Sequence, residues 1–115
     1  MDAETLVIQA CAASVGVPLF HSIPADRPEA FGVVERTGGD TTNYVVERAI
    51  LSVQLFAASR AAVVELAGRM KEALLAMPDI QQNVFGADVL SDYKSNDLQA
   101  HIPCHTVNCQ IIYNN

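Results

Sequence analysis

Residues 24–57 constrain the fold of this 115-residue chain more than any other stretch. Pro24 and Pro28 fix their own φ and bias the residues before them toward extended backbone, which predicts a turn. Residues 31–37 then read as a strand, and the polar stretch 38–43 with its two glycines predicts a reversal. A long apolar strand returns from it. This hairpin contains no set of catalytic residues. The segment therefore favours a role in protein assembly over an enzymatic reaction.

The returning strand, residues 44–57, predicts how the sheet is covered. Successive side chains of a strand point to opposite faces. Leu51, Val53 and Leu55 therefore share an apolar face. The other face is mixed and carries Ile50, Ser52, Gln54 and Phe56. One apolar face and one mixed face indicate helices on one side of the sheet only.

Two segments have the apolar spacing of amphipathic helices. The first covers residues 2–14 and ends at Gly16, a candidate left-handed cap. The second begins after Ser59, a good N-cap, and continues to about Ala76. We expect the pair Pro78 and Asp79 to end it, because proline cannot continue a helix.

The remaining segments predict the fold class. Residues 17–22, 84–90 and 98–113 read as strands, and the polar stretch 91–97 reads as a flexible loop. The chain lacks a repeated strand–helix–strand order, so we predict an α+β fold with a single mixed, mainly antiparallel β-sheet and two α-helices packed on one face. We expect residues 1–115 to form one domain.

Composition narrows the function. Charged residues make up 17% of the chain, below the usual ~25%, which indicates a partly apolar surface covered by a partner. The net charge of −6 argues against a protein that grips nucleic acid, although an acidic chain can line a passage through which DNA slides. Neither a signal peptide nor a ~20-residue apolar span is evident, so we expect a soluble chain made in the cytosol.

The three cysteines, Cys11, Cys104 and Cys109, are expected to be free thiols in a reducing compartment. With His101 and His105, the last two form the one metal-like cluster. In a strand, residues four apart lie ~13 Å from each other, too far to share an ion. We therefore expect no metal, cofactor or catalytic residue, and the roles of Cys104 and Cys109 stay open.

Two segments resemble the tail terminator and head-to-tail joining proteins of long-tailed bacteriophages and prophages. They are IPADRPEAFGVVERTGG (23–39) and VVERAILSVQLFAASRAAVVELAGRMKEAL (45–74), preceded by the short first helix. The resemblance lies in the proline–arginine–proline turn, the VERTGG strand end, and the aromatic-bearing strand before an alanine-rich helix. Residues 91–115 resemble the family in the order of their predicted elements but not in amino-acid sequence.

The resemblance implies a non-enzymatic virion structural protein of the head–tail neck. Such proteins form a ring, usually hexameric, that caps the tail tube, stops its polymerisation and joins it to the head-completion proteins. DNA passes through the centre without sequence-specific binding, and no membrane is involved. The protein would lie in the virion, and in the host cytoplasm during assembly. The alternatives are another neck or tail-completion protein on the portal side, or a non-viral α+β binding module that dimerises through its sheet.

We expect the assembly contacts in the two polar loops, because loops on a rigid sheet commonly carry contacts, although both could be plain solvated turns. The candidate residues are Gly38, Gly39, Asp40, Thr41, Thr42 and Asn43 in the first loop, and Ser91, Asp92, Tyr93, Lys94, Ser95, Asn96 and Asp97 in the second. Arg27 either pairs locally with Asp26 or Glu29 or contacts a neighbouring subunit. Exposed edges of the first or final strand could join copies by sheet extension.

Overall fold

The computed structural model describes residues 2–41, 45–96 and 102–114. The elements in chain order are α1 (Ala3–Val15), β1 (Leu19–Phe20), β2 (Phe31–Thr41), β3 (Val46–Phe56), α2 (Arg60–Ile80), β4 (Val84–Asn96) and β5 (Pro103–Asn114). The strands form one sheet in the order β1-β2-β3-β5-β4. β1 is parallel to β2, and every other pair is antiparallel. The predicted α+β class with one mixed sheet is confirmed.

Both helices cover the same face of the sheet. Leu51, Val53 and Leu55 are fully buried on that face, as their alternation predicts. They join α1, α2 and the facing residues of β5 in one core. The other face has no helix across it in the described parts of the chain, and its centre is polar: Ser52, Gln54, Thr106, Asn108 and Gln110.

The helix ends follow the local sequence signals. The Ser59 side chain accepts a hydrogen bond from the backbone N–H of Ala62 at 3.1 Å, which satisfies one of the free donors of the first turn of α2. Gly16 ends α1 with φ of 83°, a left-handed conformation that favours glycine. Asp2 precedes α1 as its N-cap and accepts from the N–H of Thr5 at 2.7 Å.

The predicted end of α2 is wrong, since the helix runs through Pro78 to Ile80. Proline removes one backbone donor, but the last turn is held in two other ways. Met77 is fully buried in the core, and its carbonyl accepts from the N–H of Gln81 at 2.8 Å. Burial of that turn outweighs the local preference of proline.

Both predicted loops are partly strand, which corrects the prediction. Residues 38–41 extend β2 and pair with β3 after a bulge that follows Arg36. Residues 91–96 extend β4 and pair with β5. Each segment is polar, but pairing satisfies its backbone hydrogen-bonding groups, and that does not depend on apolar side chains. Thr42, Asn43, Tyr44 and Asp97 lie outside the described residues.

The sheet edges also differ from the prediction. β5 is the final strand but lies between β3 and β4, so it offers no edge. β1 is at an edge but covers only Leu19 and Phe20, shorter than the predicted residues 17–22. The long outer strand is β4.

Candidate assembly surfaces

The first candidate segment, residues 38–41, is the distal end of β2 and is called the β2 end segment. Gly38 is half-buried, and Gly39, Asp40 and Thr41 are exposed. Asp40 accepts two hydrogen bonds from the guanidinium of Arg48, the shorter at 3.0 Å. The segment therefore presents a strand edge, and its exposed positions remain candidates for contact.

Gly39 is required by close approach of two strands. Its φ is 127°, a conformation that side-chain-bearing residues rarely adopt. A Cβ placed there would lie 2.1 Å from the carbonyl oxygen of Arg48 and 2.9 Å from the Arg36 guanidinium. The glycine thus serves a bulged strand, whereas the sequence suggested a tight turn.

A polar network lies near the turn end of this hairpin. The hydroxyl of the buried Tyr113 donates to Glu47 Oε2 at 2.6 Å, and the Arg36 guanidinium donates to the same oxygen at 3.1 Å. These hydrogen bonds hold the pKa of Glu47 below its usual value, the one from Tyr113 contributing most. Burial and the neighbouring carboxylate raise the pKa of Tyr113 to about 12. The network joins β2, β3 and β5.

The second candidate segment, residues 91–96, is the distal half of β4 and is called the β4 end segment. Asp92 accepts hydrogen bonds from Lys71 Nζ at 3.1 Å and from His105 Nε2 at 3.0 Å. These two contacts, led by the one from His105, lower the pKa of the Asp92 carboxyl. Asp92 is therefore committed to holding β4 against β5 and α2. Tyr93 and Lys94 remain exposed.

The opposite face of the same hairpin carries a chain of hydroxyl and thiol contacts. Thr106 Oγ1 donates to Ser95 Oγ at 2.9 Å, and Ser95 Oγ donates to Cys104 Sγ at 3.0 Å. Arg60 donates to the carbonyl of Cys104 at 3.1 Å. The Ser95 hydroxyl is thus hydrogen-bonded inside the subunit. The exposed side chains of Tyr93 and Lys94 are better candidates for a contact with another protein.

The two segments occupy opposite ends and opposite sides of the sheet. Thr41 is paired with Glu47, which is level with Tyr113 and Val84. The β4 end segment is paired instead with residues 103–108, at the other end of β5. The structure therefore does not bring the two predicted contact segments together within one subunit.

Exposed apolar side chains are concentrated on α2 and β4. The sequence pattern alone does not identify this surface. Phe85, Leu90 and Tyr93 of β4 are each more than half exposed, and so are Leu75 and Ile80 of α2. Phe85 and Leu90 lie at the two bulges of β4. The one sequence feature that indicates this exposed apolar surface is the low fraction of charged residues.

Arg27 has a contact inside its own subunit. Its guanidinium carbon lies 6.0 Å from the ring centroid of Phe31 and 5.8 Å from that of Phe56. These rings stack with centroids 4.7 Å apart in a small apolar cluster on the helix-free face. The geometry is that of a cation–π contact. A contact with a neighbouring subunit stays a prediction.

The cysteine thiols are poorly placed for nucleophilic chemistry. All three are buried, and none of them forms a disulfide. Burial raises the pKa of Cys11 and of Cys109 to about 12, so both stay protonated at neutral pH. Among the residues that the structure describes, no cluster of histidine, cysteine and acidic side chains could hold a metal ion. His101 lies outside those residues.

Comparisons with known proteins identify a structural neighbour. No protein-family model matches this sequence, and no curated protein matches it. The fold is similar to that of a chain in the virion of a native gene transfer agent particle, with a TM-score of 0.61 and 16% identity. The alignment covers 98% of this chain and 95% of that one. At this identity the likeness shows a shared fold. Across the described residues, no helix is both long and apolar enough to cross a membrane.

Proposed function

We propose that this chain is a non-enzymatic structural protein of a phage-like virion, and that it acts at the head–tail neck as a tail terminator. The observation that carries the proposal is the fold likeness to a virion chain of a gene transfer agent particle. It covers 98% of this chain and 95% of that one, so it involves the whole fold. The tail terminator role itself rests on the sequence resemblance of residues 23–39 and 45–74.

In this role the chain forms a ring, with six copies as the expected number. The ring caps the tail tube, stops its polymerisation and contacts the head-completion proteins, in the virion and in the host cytoplasm during assembly. Ring closure needs two different surfaces on each copy. The end segments of β2 and β4 lie on opposite sides of the sheet, which suits such a head-to-tail contact.

Passage of DNA without tight binding fits the charge distribution. The chain carries thirteen acidic and seven basic residues. On the helix-free face, Arg48 is committed to Asp40 and to Gln110, and the centre of the face bears hydroxyl and amide groups. Among the described residues, the two arginines at this face, Arg27 beside Phe56 and Arg48, lie at opposite ends of the sheet. They therefore form no basic cluster that would hold phosphate, and the net negative charge of the chain repels it.

A non-enzymatic role is supported by the state of the thiols. Cys11 and Cys109 have pKa values of about 12 and are buried, so neither supplies a thiolate at neutral pH. Asp92 and His105 are close, but Asp92 is also bonded to Lys71 and links secondary-structure elements.

Deletion of the gene from the phage or prophage that encodes it tests the proposal. We expect tail tubes of uncontrolled length and heads without tails, seen by electron microscopy, and restoration by the wild-type gene supplied in trans. Particles with normal tails joined to heads would contradict the proposal. Tails of normal length that fail to join heads would favour the alternative position on the portal side.

A second candidate is a dimeric binding module that joins copies through the sheet. The observation favouring it is the outer edge of β4, where Phe85, Leu90 and Tyr93 are exposed. Light scattering after size exclusion separates the two. A particle near six times 12.4 kDa supports the ring, and a dimer at every concentration supports the module.

A further inference from the structure

The outer edge of β2 is protected along half of its length. β1 pairs with Gly32 and Val33, and Glu4 Oε2 accepts from the backbone N–H of Arg36 at 2.9 Å. A bulge follows Arg36. Such devices prevent strand addition. The part of this edge left open in the described residues is the β2 end segment, 38–41.

The outer edge of β4 is open but interrupted. No described strand pairs with it. Bulges at Phe85 and Leu90 break the regular spacing of its first half. A bulge disrupts the hydrogen-bonding ladder that an added strand needs. The regular, open part of this edge is therefore the β4 end segment, 91–96.

We propose that residues 91–96 of one copy pair as an antiparallel strand with residues 38–41 of the next copy. β4 and β2 run in opposite directions within a subunit, so copies that share a strand direction meet in the antiparallel sense. This contact rests on the proposed ring and names the surfaces that close it. The occupant of each open edge is a second copy of this chain.

Residues 38–41 and 91–96 lie at opposite ends of the sheet, so they can pair only if neighbouring copies are shifted along the strand direction, which we call the stagger. Charge favours this staggered contact over one without a shift. Without a stagger, Asp40 would be level with Gly86 of the neighbouring copy and diagonal to Asp88, two carboxylates ~7–8 Å apart on the helix-free face. With the stagger, Asp40 is level with Tyr93 on the helix-free face, because Tyr93 is paired with Thr106 and Thr106 with Gln54. Its diagonal neighbours on that face are Ser91 and Ser95, since alternate residues of a strand share a face. The carboxylate of Asp40 therefore faces hydroxyl groups and not a second carboxylate.

The stagger has a geometric consequence for the ring. Asp40 is level with Ile112 through Arg48, and Tyr93 is level with Thr106, so the two sites are six ladder positions apart. At ~3.3 Å per residue the offset is ~20 Å, and the repeat of one subunit around the ring is ~19 Å wide, since it comprises four strand spacings of ~4.8 Å including the contact between copies. The strands would tilt by about 45° from the ring axis, within the range of closed barrels. Six copies would supply ~24 strands, more than the 16–18 that leave an aqueous channel in porins.

Cysteine cross-linking tests the contact. The double variant Asp40→Cys, Tyr93→Cys is oxidised mildly and separated by non-reducing electrophoresis. Within one subunit these sites are roughly 25 Å apart from strand rise and spacing, too far for a disulfide. The native cysteines are buried, so they should not react. We expect a ladder of covalent oligomers that collapses on reduction.

The single variants Asp40→Cys and Tyr93→Cys are the matched controls, and neither should form a ladder. A covalent dimer from Tyr93→Cys alone would pair β4 with a second β4 and overturn the proposal. The variant Asp40→Cys, Ser91→Cys covers the neighbouring register that keeps both residues on the helix-free face, and thermal melts show that each variant folds. If neither double variant gives a ladder, at any concentration, the contact is wrong. The tail lengths measured after deletion of the gene test the neck function independently of this contact.

Discussion

Replacing Gly39 with alanine should break the end of the β2–β3 hairpin. The new Cβ would lie 2.1 Å from the carbonyl oxygen of Arg48 and 2.9 Å from the Cα of Ala49, both backbone atoms that cannot rotate away. The φ of 127° adds a backbone cost of about 1–3 kcal/mol for any residue with a side chain. The strands must separate locally, which loses about two backbone hydrogen bonds at about 1 kcal/mol each.

The total expected loss of unfolding free energy is about 3–5 kcal/mol, the sum of these backbone and hydrogen-bond costs. A domain of this size has only about 5–15 kcal/mol in all. Urea unfolding followed by far-UV circular dichroism measures the change, since the chain contains no tryptophan. The matched control is Gly68→Ala in α2, where a Cβ meets nothing within 4 Å. That variant should gain up to about 1 kcal/mol from helix propensity. A loss below about 1 kcal/mol for Gly39→Ala would refute the close-approach argument, because it is less than the backbone cost alone.

Further measurements follow from single contacts. Tyr113→Phe keeps the buried ring but removes the hydroxyl bonded to Glu47, so urea unfolding should show a loss of about 1.5–3 kcal/mol; no loss would mean that water replaces the contact. Because the folded pKa values of Glu47 and Asp92 are lowered, stability should be constant above about pH 4.5 and fall as the pH drops toward those lowered values, with a smaller fall in Glu47→Gln. The raised pKa of Tyr113 works at the other end: stability should decline between about pH 10 and 12, and Tyr113→Phe should remove that decline. Pro78→Ala should restore one helical donor and raise the melting temperature; an unchanged or lower value would show that proline suits that turn.

The sequence by itself determined the features that depend on neighbours along the chain. The alternation of Leu51, Val53 and Leu55 identified the helix-covered face, because side chains of a strand alternate whatever lies beside it. Ser59 and Gly16 marked helix ends through backbone groups within four residues. The α+β class followed from the order of such segments.

Tertiary structure decided where the elements end and which strand is at the edge. Residues 38–41 and 91–96 look like loops in sequence but are strands, because β3 and β5 supply their hydrogen-bonding partners. Pro78 lies inside a helix because the core holds the buried Met77 beside it. The Glu47–Tyr113 hydrogen bond joins residues 66 positions apart. Contacts at such separations follow from the sheet order, and a local pattern carries no information about which distant strand will pair with it.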